Sequence, residues 1–509
     1  MKFRKVSVLA LMIAFVICAL PALAANAPKT TKTHKKMSPF LVRGPQAVPL
    51  AAAQSSPGYG LFTCQLGETP GVVCYDPYQI RHAYNIDNLI NAGITGKGRT
   101  IVIVDSFQSP NIVNELNTFN SFYGLASLNG LGGTSDPSLG TFTQIAPDGL
   151  TPFDPNDNNQ VGWAQEITLD VLWAHAVAPG ANIVLVLAKS NNDDDILSAT
   201  QYAVDHNLGD VISQSFGENE SCVDSSLLAA EHKLFVKATL KNITLIASAG
   251  DDGAAQGTCD GNSWVKAASS PASDPLVMGV GGTELHAADY CLSVLGCDPT
   301  ANPAAGTYQG EIVWNEGDTG FGATGGGYSV EYRTPLYQLL SEPLKIKGKQ
   351  RGVPDVSYNA AVLHGVLTYL DVPGIPAGFY LFGGTSAGSP QWAGVVALAN
   401  QKAGRKLGFV NAALYLFSFL PQTYAAVFHD VTSGNNSVAL SDVDGNEVDI
   451  TGFSATKGWD PTTGLGSPKA DAVVSFLTRF ASPNDGKNAC SGSDPSGPGH
   501  SGRHHVREH

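Results

Sequence analysis

Basic residues are scarce in this chain, and so are charges of any kind. Thirty Lys and Arg stand against forty-four Asp and Glu, a formal net charge of −14, and only 15% of positions are charged. Nucleic acid needs a basic face to neutralise its phosphates, so this balance excludes it as a partner. Few bases also suit a protein working in acid, where many protonated ones would repel each other. No C-x-x-C pair occurs, which removes the commonest cysteine framework for zinc. Beyond the N-terminal segment no run of about eighteen unbroken apolar residues is found, so no membrane span is expected. No internal repeat is present. The 43% of hydrophobic residues is enough for a sizeable core, and the length allows two or three domains or one large α/β unit.

Lys2, Arg4 and Lys5 precede the apolar run Val6 to Leu20, and Pro21-Ala22-Leu23-Ala24 ends in a small-x-small pattern. That is the layout of a secretory signal peptide, 1–24, cut after Ala24. Ile17 before Cys18 argues against a lipoprotein anchor. The expectation is an exported, extracellular, monomeric protein. In an oxidising compartment, short-range pairing favours Cys64–Cys74 and Cys291–Cys297, with Cys222–Cys259 as a third bridge and Cys490 left over. Residues 25–78 form a short lead-in or pro-segment, rich in Ala, Lys, Thr and Pro up to about residue 57 and read there as flexible. Residues 482–509 read as a disordered Gly/Ser/Pro-rich tail.

Between these ends, 79–481, strands and helices alternate. Strands are expected at Thr100–Asp105, Asn182–Leu187, Asp210–Ser213, Ile243–Ala247 and Pro275–Val280. Helices are expected over 111–123, 160–177, 196–206 and 225–239, and loops over 125–160 and 288–330. Continuous β-branched runs separated by helices imply an α/β fold, a central, mostly parallel sheet covered on both faces. Sites in such folds form beyond the carboxyl ends of strands. Asp105, Asp251 and Ser386 each follow a strand-like run.

The stretch around Ser386 is the most informative. Phe379-Tyr380-Leu381-Phe382 ends in Gly383-Gly384, followed by Thr385-Ser386-Ala387-Gly388-Ser389-Pro390 and the apolar run Trp392 to Ala399. This is a strand, a tight turn and a buried helix, with the serine where backbone N–H groups and the helix dipole favour negative charge. Ser386 is either a nucleophile or a helix N-cap.

A serine nucleophile needs a base. The histidines fit poorly; His364 lies some twenty residues before Ser386 in loop-like sequence. Glu166 and Asp170 fit better, because they fall four apart on one face of a helix that is apolar all round. Like charges one turn apart in a dry setting push at least one pKa upward, so the pair should titrate as a unit and share a proton. A carboxylate base near its reference pKa of about 4.3 is useful only in acid. Asp251, in Gly250-Asp251-Asp252-Gly253 after a strand, is either a turn residue or, if protonated, a donor to a developing oxyanion.

These motifs resemble the sedolisins, the serine-carboxyl peptidases. Their Ser-Gly-Thr-Ser-x-x-x-Pro matches Gly383 to Pro390 except at the first position, and their Glu-x-x-x-Asp helix matches Glu166 to Asp170. Their Gly-Asp-Ser-Gly matches Gly250 to Gly253 except at the third, and Arg351 to Ser357 resembles the segment ahead of the nucleophile. The resemblance covers roughly residues 75–480. It implies a subtilisin-like three-layer fold and a serine-type endopeptidase acting on proteins or peptides in acid. Ser386 would attack, Glu166 serve as general base and acid, Asp170 orient it, and Asp251 stabilise the oxyanion. Asp105 would be an outer member of the network. The resemblance also implies one structural calcium ion, held by the side chains of Asp430 and Asp460 and the carbonyls of Val431, Thr456 and Gly458. The family usually has Gly where Thr456 stands, and a far longer pro-domain than the fifty-odd residues here. Two other readings compete: an exported non-catalytic binding protein on the same scaffold, and a two-carboxylate glycosidase. For the latter, one helical turn between Glu166 and Asp170 leaves no room for a sugar.

Overall fold

The apolar runs pair edge to edge in one sheet. In the computed structural model, which describes residues 36–50, 61–133, 135–292, 302–339, 349–418 and 421–481, its order is Tyr308–Val313, Val277–Ala287, Thr244–Ser248, Val211–Gln214, Thr100–Ser106, Asn182–Ala188 and Phe142–Ile145, with Val356–Asn359 also paired to Val277–Ala287. Every pairing is parallel except that of Tyr308–Val313. The fold is therefore α/β and three-layered, as the alternation of strands and helices predicts. A strand at Phe142–Ile145 interrupts the expected 125–160 loop, and Tyr308–Val313 interrupts the 288–330 loop. Both lie at sheet edges, where polar, half-exposed residues weaken the strand signal.

Two helices run through the interior. Asn158–Val177 starts at Asp157, whose side chain accepts from the Asn159 N–H, and is buried on all sides from Trp163 to Val177. Gly388–Ala403 crosses it closely: a Cβ at Gly394 would lie 2.5 Å from a Val177 methyl. Each fully buried Leu, Ile or Val in such a contact contributes roughly 1.5–3 kcal/mol. The Ser389 hydroxyl pairs with that of Ser213 (2.8 Å), and the Trp392 indole donates to the Ser357 carbonyl (3.0 Å). These bonds tie the start of the serine helix to the carboxyl ends of the sheet.

Cys64–Cys74 and Cys222–Cys259 are bridged. Cys291 is also disulfide-bonded, but Cys297, Cys490, the 1–24 segment and the 482–509 tail lie outside the described residues. No helix among the described residues is long and apolar enough to cross a membrane.

The lead-in differs from expectation. Composition reads it as flexible, yet Ser38–Pro39 pairs antiparallel with Phe216–Asn219, and Val42–Gln46 pairs antiparallel with Gly378–Gly383. Its order comes from non-local backbone bonds and from burial of Met37 and Phe40, neither of which composition records.

Candidate active site

Ser386 lies in a single turn of 3-10 helix, Thr385–Ala387, that leads into Gly388–Ala403. Its hydroxyl donates to the Ser215 carbonyl at 3.1 Å and makes no capping bond, so the N-cap alternative is excluded. The turn requires glycine at 384, where φ is +91°. A Cβ there would sit 2.4 Å from both Asp251 Oδ2 and the Phe40 carbonyl oxygen.

Glu166 and Asp170 are fully buried on the facing helix. Asp170 Oδ2 accepts from the Ser215 hydroxyl at 2.7 Å; Asp170 Oδ1 and both Glu166 oxygens have no hydrogen-bond partner. Dehydration, then the charges of Asp170 and Asp105, push the Glu166 carboxyl well above its usual range, while the Ser386 hydroxyl favours its ionisation. Burial also raises Asp170, to about 8, against the stabilising bond from Ser215 and the proximity of the Glu166 carboxyl. An ionised carboxylate without partners in such a setting would cost far more than packing returns, so protons are retained and shared. Asp105, at the end of Thr100–Ser106, joins them. It is wholly buried with both oxygens unpartnered, and burial followed by the charge of Asp170 raises its pKa.

Asp251 approaches from across the turn. The Thr385 N–H and hydroxyl both donate to its Oδ1, each at 2.8 Å, and its Oδ2 is buried without a partner. Burial outweighs these two bonds and holds the carboxyl in its neutral form well above the ordinary range. With Oδ1 occupied as acceptor, the proton belongs on Oδ2, and Oδ2 borders the space above Gly384. A neutral acid donating into that space is what oxyanion stabilisation needs.

The sequence alone did not single out Ser215. Its carbonyl accepts from Ser386 and from the Phe40 N–H (3.1 Å), and its hydroxyl holds Asp170. The available signal was its place just past the strand Val211–Gln214, at the carboxyl edge of the sheet. His364 begins a strand, His364–Leu370, rather than a loop. It bonds the Leu285 carbonyl and faces Glu284 and His286. His175 bonds the Ala126 carbonyl.

The cleft holds the chain's own lead-in. The Ser386 N–H donates to the Phe40 carbonyl at 2.9 Å, beside Asp251 Oδ2. Upstream, Met37 N–H bonds the Asn191 carbonyl (3.0 Å) and the Asn191 side chain bonds the Met37 carbonyl (2.8 Å).

Asp430 and Asp460 converge on one loop far along the chain. The Gly458 N–H and the Tyr424 hydroxyl donate to Asp430, and the Thr456 N–H donates to Asp460. Among the described residues no Lys, Arg or His nitrogen lies within 4.0 Å of either carboxylate. Dehydration raises the pKa of both. Thr462 and Thr463 also donate to Asp460; two carboxylates beside backbone oxygens of one loop are the donor types a hard divalent cation takes. The positive φ of Gly458 (+84°) shapes that loop.

Residues 155–411 match the subtilase family. The chain is 34% identical over 414 residues to kumamolisin from Bacillus sp. (strain MN-32), covering 80% of this chain and 64% of that one. It is 30% identical over 385 residues to sedolisin from Pseudomonas sp. (strain 101), covering 73% and 57%. Tripeptidyl-peptidase 1 of Homo sapiens is 27% identical over 334 residues, covering 61% and 51%. The chain thus spans less than two thirds of the length of each. A solved structure of Pseudomonas sedolisin, a serine-carboxyl proteinase complexed with two molecules of pseudo-iodotyrostatin, superposes with a TM-score of 0.62 at 27% identity, over 80% of this chain and 99% of that one.

Proposed function

The chain belongs to the subtilase family, within its sedolisin branch of serine-carboxyl peptidases, and from that premise we propose that it is a secreted, monomeric, acid-acting endopeptidase. Ser386 Oγ attacks the scissile carbonyl and passes its proton to Glu166. Asp170 orients Glu166 and shares the proton. The oxygen that becomes negative is met by the Ser386 N–H and by the proton on Asp251 Oδ2. Glu166 then returns the proton to the leaving amine, and water hydrolyses the ester. Asp105 sets how many protons the buried acids hold.

The single observation that carries this reading is the convergence of the Ser386 N–H and the unpartnered Asp251 Oδ2 on the Phe40 carbonyl, with the buried Glu166 carboxyl on the side of the Ser386 hydroxyl. Endopeptidase rather than tripeptidyl release is favoured by the same cleft. Four residues before Phe40 are in place, as far back as Lys36 bridged to Asn192. A site built for tripeptides would close after three.

Casein incubated at pH 3–5 and at pH 7–8 tests the proposal. Cleavage is expected only in acid, and Glu166→Gln should reduce kcat on the order of 10²–10⁴-fold. An unaffected Glu166→Gln variant would remove Glu166 as the base, and an optimum at pH 8 would remove the acid-acting reading.

For the Asp430/Asp460 loop we propose calcium, with Asp430, Asp460 and the carbonyls of Val431, Thr456 and Gly458 as ligands. When bound, the ion would neutralise two carboxylates and fix the loop. At free calcium a hundredfold above its Kd, binding would add about 2.7 kcal/mol. A chelator should therefore lower Tm by several degrees, and Asp430→Asn should abolish that response. An unchanged Tm would count against the site.

A further inference from the structure

We propose that Glu284, His286 and His364 form a binding site for a zinc-class divalent cation, separate from Ser386 and from the Asp430/Asp460 loop, and that the ion clips the central sheet to the four-stranded sheet beside it.

Glu284 and His286 stand two apart on the strand Val277–Ala287, so their side chains share one face of it. His364 opens the strand His364–Leu370 in a different sheet, ordered Val42–Gln46, Gly378–Gly383, His364–Leu370 and Val73–Tyr75. One buried side chain brings the two strands together. Asn359 Oδ1 accepts from the Leu285 N–H at 3.0 Å, and Asn359 Nδ2 donates to the His364 carbonyl at 2.8 Å. The backbone of His364 is thereby fixed beside the strand that carries Glu284 and His286.

The ring of His364 is oriented as well. Its Nδ1 lies 3.0 Å from the Leu285 carbonyl, an oxygen that can only accept, so Nδ1 carries the hydrogen and Nε2 keeps its lone pair. That Nε2 lies 3.7 Å from Glu284 Oε1, too far for a hydrogen bond, and His286 Nε2 lies 3.2 Å from the same oxygen. One ligand atom from each of the three residues lies within 4.8 Å of the others. Tetrahedral zinc with bonds of about 2.0–2.1 Å separates its ligands by about 3.4 Å, so small side-chain rotations close the site. Space is available, because His286 stands opposite Gly310, where an added Cβ would meet nothing within 4 Å.

The local charge suits a cation. Among the described residues no Lys or Arg nitrogen lies within 4.0 Å of Glu284, and Asp289 adds negative charge near His364. The competing reading is an ion pair between Glu284 and a protonated histidine. Dehydration and the neighbouring His364 outweigh Glu284 and hold the His286 imidazole below its ordinary pKa, which disfavours that pair. Two imidazoles and a carboxylate, with a backbone carbonyl behind one ring, are the donors of a zinc-class ion that keeps a position for water. Calcium and magnesium take oxygen ligands instead. The ion would join Val277–Ala287 to the strand paired with Gly378–Gly383, which ends at the nucleophile turn.

Zinc chloride titrated into the full chain at pH 7.5, with calcium in excess to occupy any oxygen-only site, tests the proposal. Calorimetry should show one site that His286→Ala and Glu284→Gln each weaken more than about tenfold. Zinc should also raise the parent's Tm by several degrees and leave that of His286→Ala unmoved. The His286 side chain is 41% exposed, so the zinc-free variant should melt with the parent. Cobalt in place of zinc should give the parent, and not the variant, the intense visible absorption of a four-coordinate ion. His504 and His505 are present in both proteins, so binding there cancels from the comparison. Equal zinc affinity in the parent and both variants, or no binding by the parent, overturns the proposal. Casein cleavage plays no part in these readouts, so loss of the peptidase reading would leave the zinc site standing.

Discussion

Ser386→Ala is expected to remove peptide hydrolysis, lowering kcat on the order of 10⁶-fold, the scale seen when a serine peptidase loses its nucleophile. The fold should survive. In this state the hydroxyl makes one hydrogen bond, to the Ser215 carbonyl, and a bond of that kind contributes about 1 kcal/mol. The variant should therefore melt within a few degrees of the parent, so that lost activity reports chemistry. Asp251 supplies the companion measurement. Asp251→Ala deletes an oxyanion donor and should cost on the order of 10²–10³ in kcat. Asp251→Asn should cost less, because its carbonyl oxygen can take the two Thr385 bonds that Oδ1 now accepts while its NH₂ occupies the position of Oδ2. If Asn and Ala are equally impaired, Asp251 does something other than donate. Steady-state rates on one peptide at pH 4, with Tm measured beside them, decide the matter.

The fold was legible because its strands are buried on both faces. Thr100–Ser106, Asn182–Ala188 and Thr244–Ser248 are continuous apolar runs, and nothing competes with a parallel-sheet reading of such runs when helices separate them. Edge strands were not legible. Phe142–Ile145 exposes two of its four residues and owes its pairing to neighbours that sequence order does not reveal. The carboxylate helix was legible for a different reason: two acids without bases, in an otherwise apolar helix, are costly enough to need an explanation.

Ser215 and the lead-in escaped because their roles are carried by backbone. The Ser215 carbonyl serves Ser386 and Phe40 at once, and a carbonyl leaves no mark in composition. Met37 and Phe40 are two apolar residues in a stretch of Lys, Thr and Pro; their burial depends on Gly217 and Asn191, far along the chain. Asp105 was placed by its strand end, but its share in the buried charge follows only from the packing of Thr100–Ser106 against the helix that carries Asp170.

Stability is expected to fall as pH rises from about 5 to 8, the second large effect. Burial pushes the carboxyls of Glu115 and Glu220 up to about 7, Glu231 to about 8 and Asp252 to about 6, and it raises Glu166, Asp105 and Asp251 well above their usual range. The sign follows from proton counts. A carboxyl whose folded pKa exceeds its unfolded value binds more protons when folded, so its contribution is complete below about pH 4 and lost as pH rises through the folded pKa. Each unit of difference is worth about 1.4 kcal/mol, so Glu115 and Glu220 alone could each withdraw roughly 3 kcal/mol by pH 8. Buried His175 and half-buried His429, lowered by dehydration to about 4 and about 3, act in the opposite sense, losing stability as pH falls below about 6.5. The carboxyls outnumber them, so the net slope is downward. Urea midpoints at pH 4, 5, 6, 7 and 8 should peak in acid and decline toward pH 8, and Glu220→Gln or Glu231→Gln should flatten the decline. A midpoint that rises steadily to pH 8 would show that these acids are hydrated in solution. The dehydration that leaves Glu166 and Asp170 a proton to share would then fail with it, because one buried interior sets both.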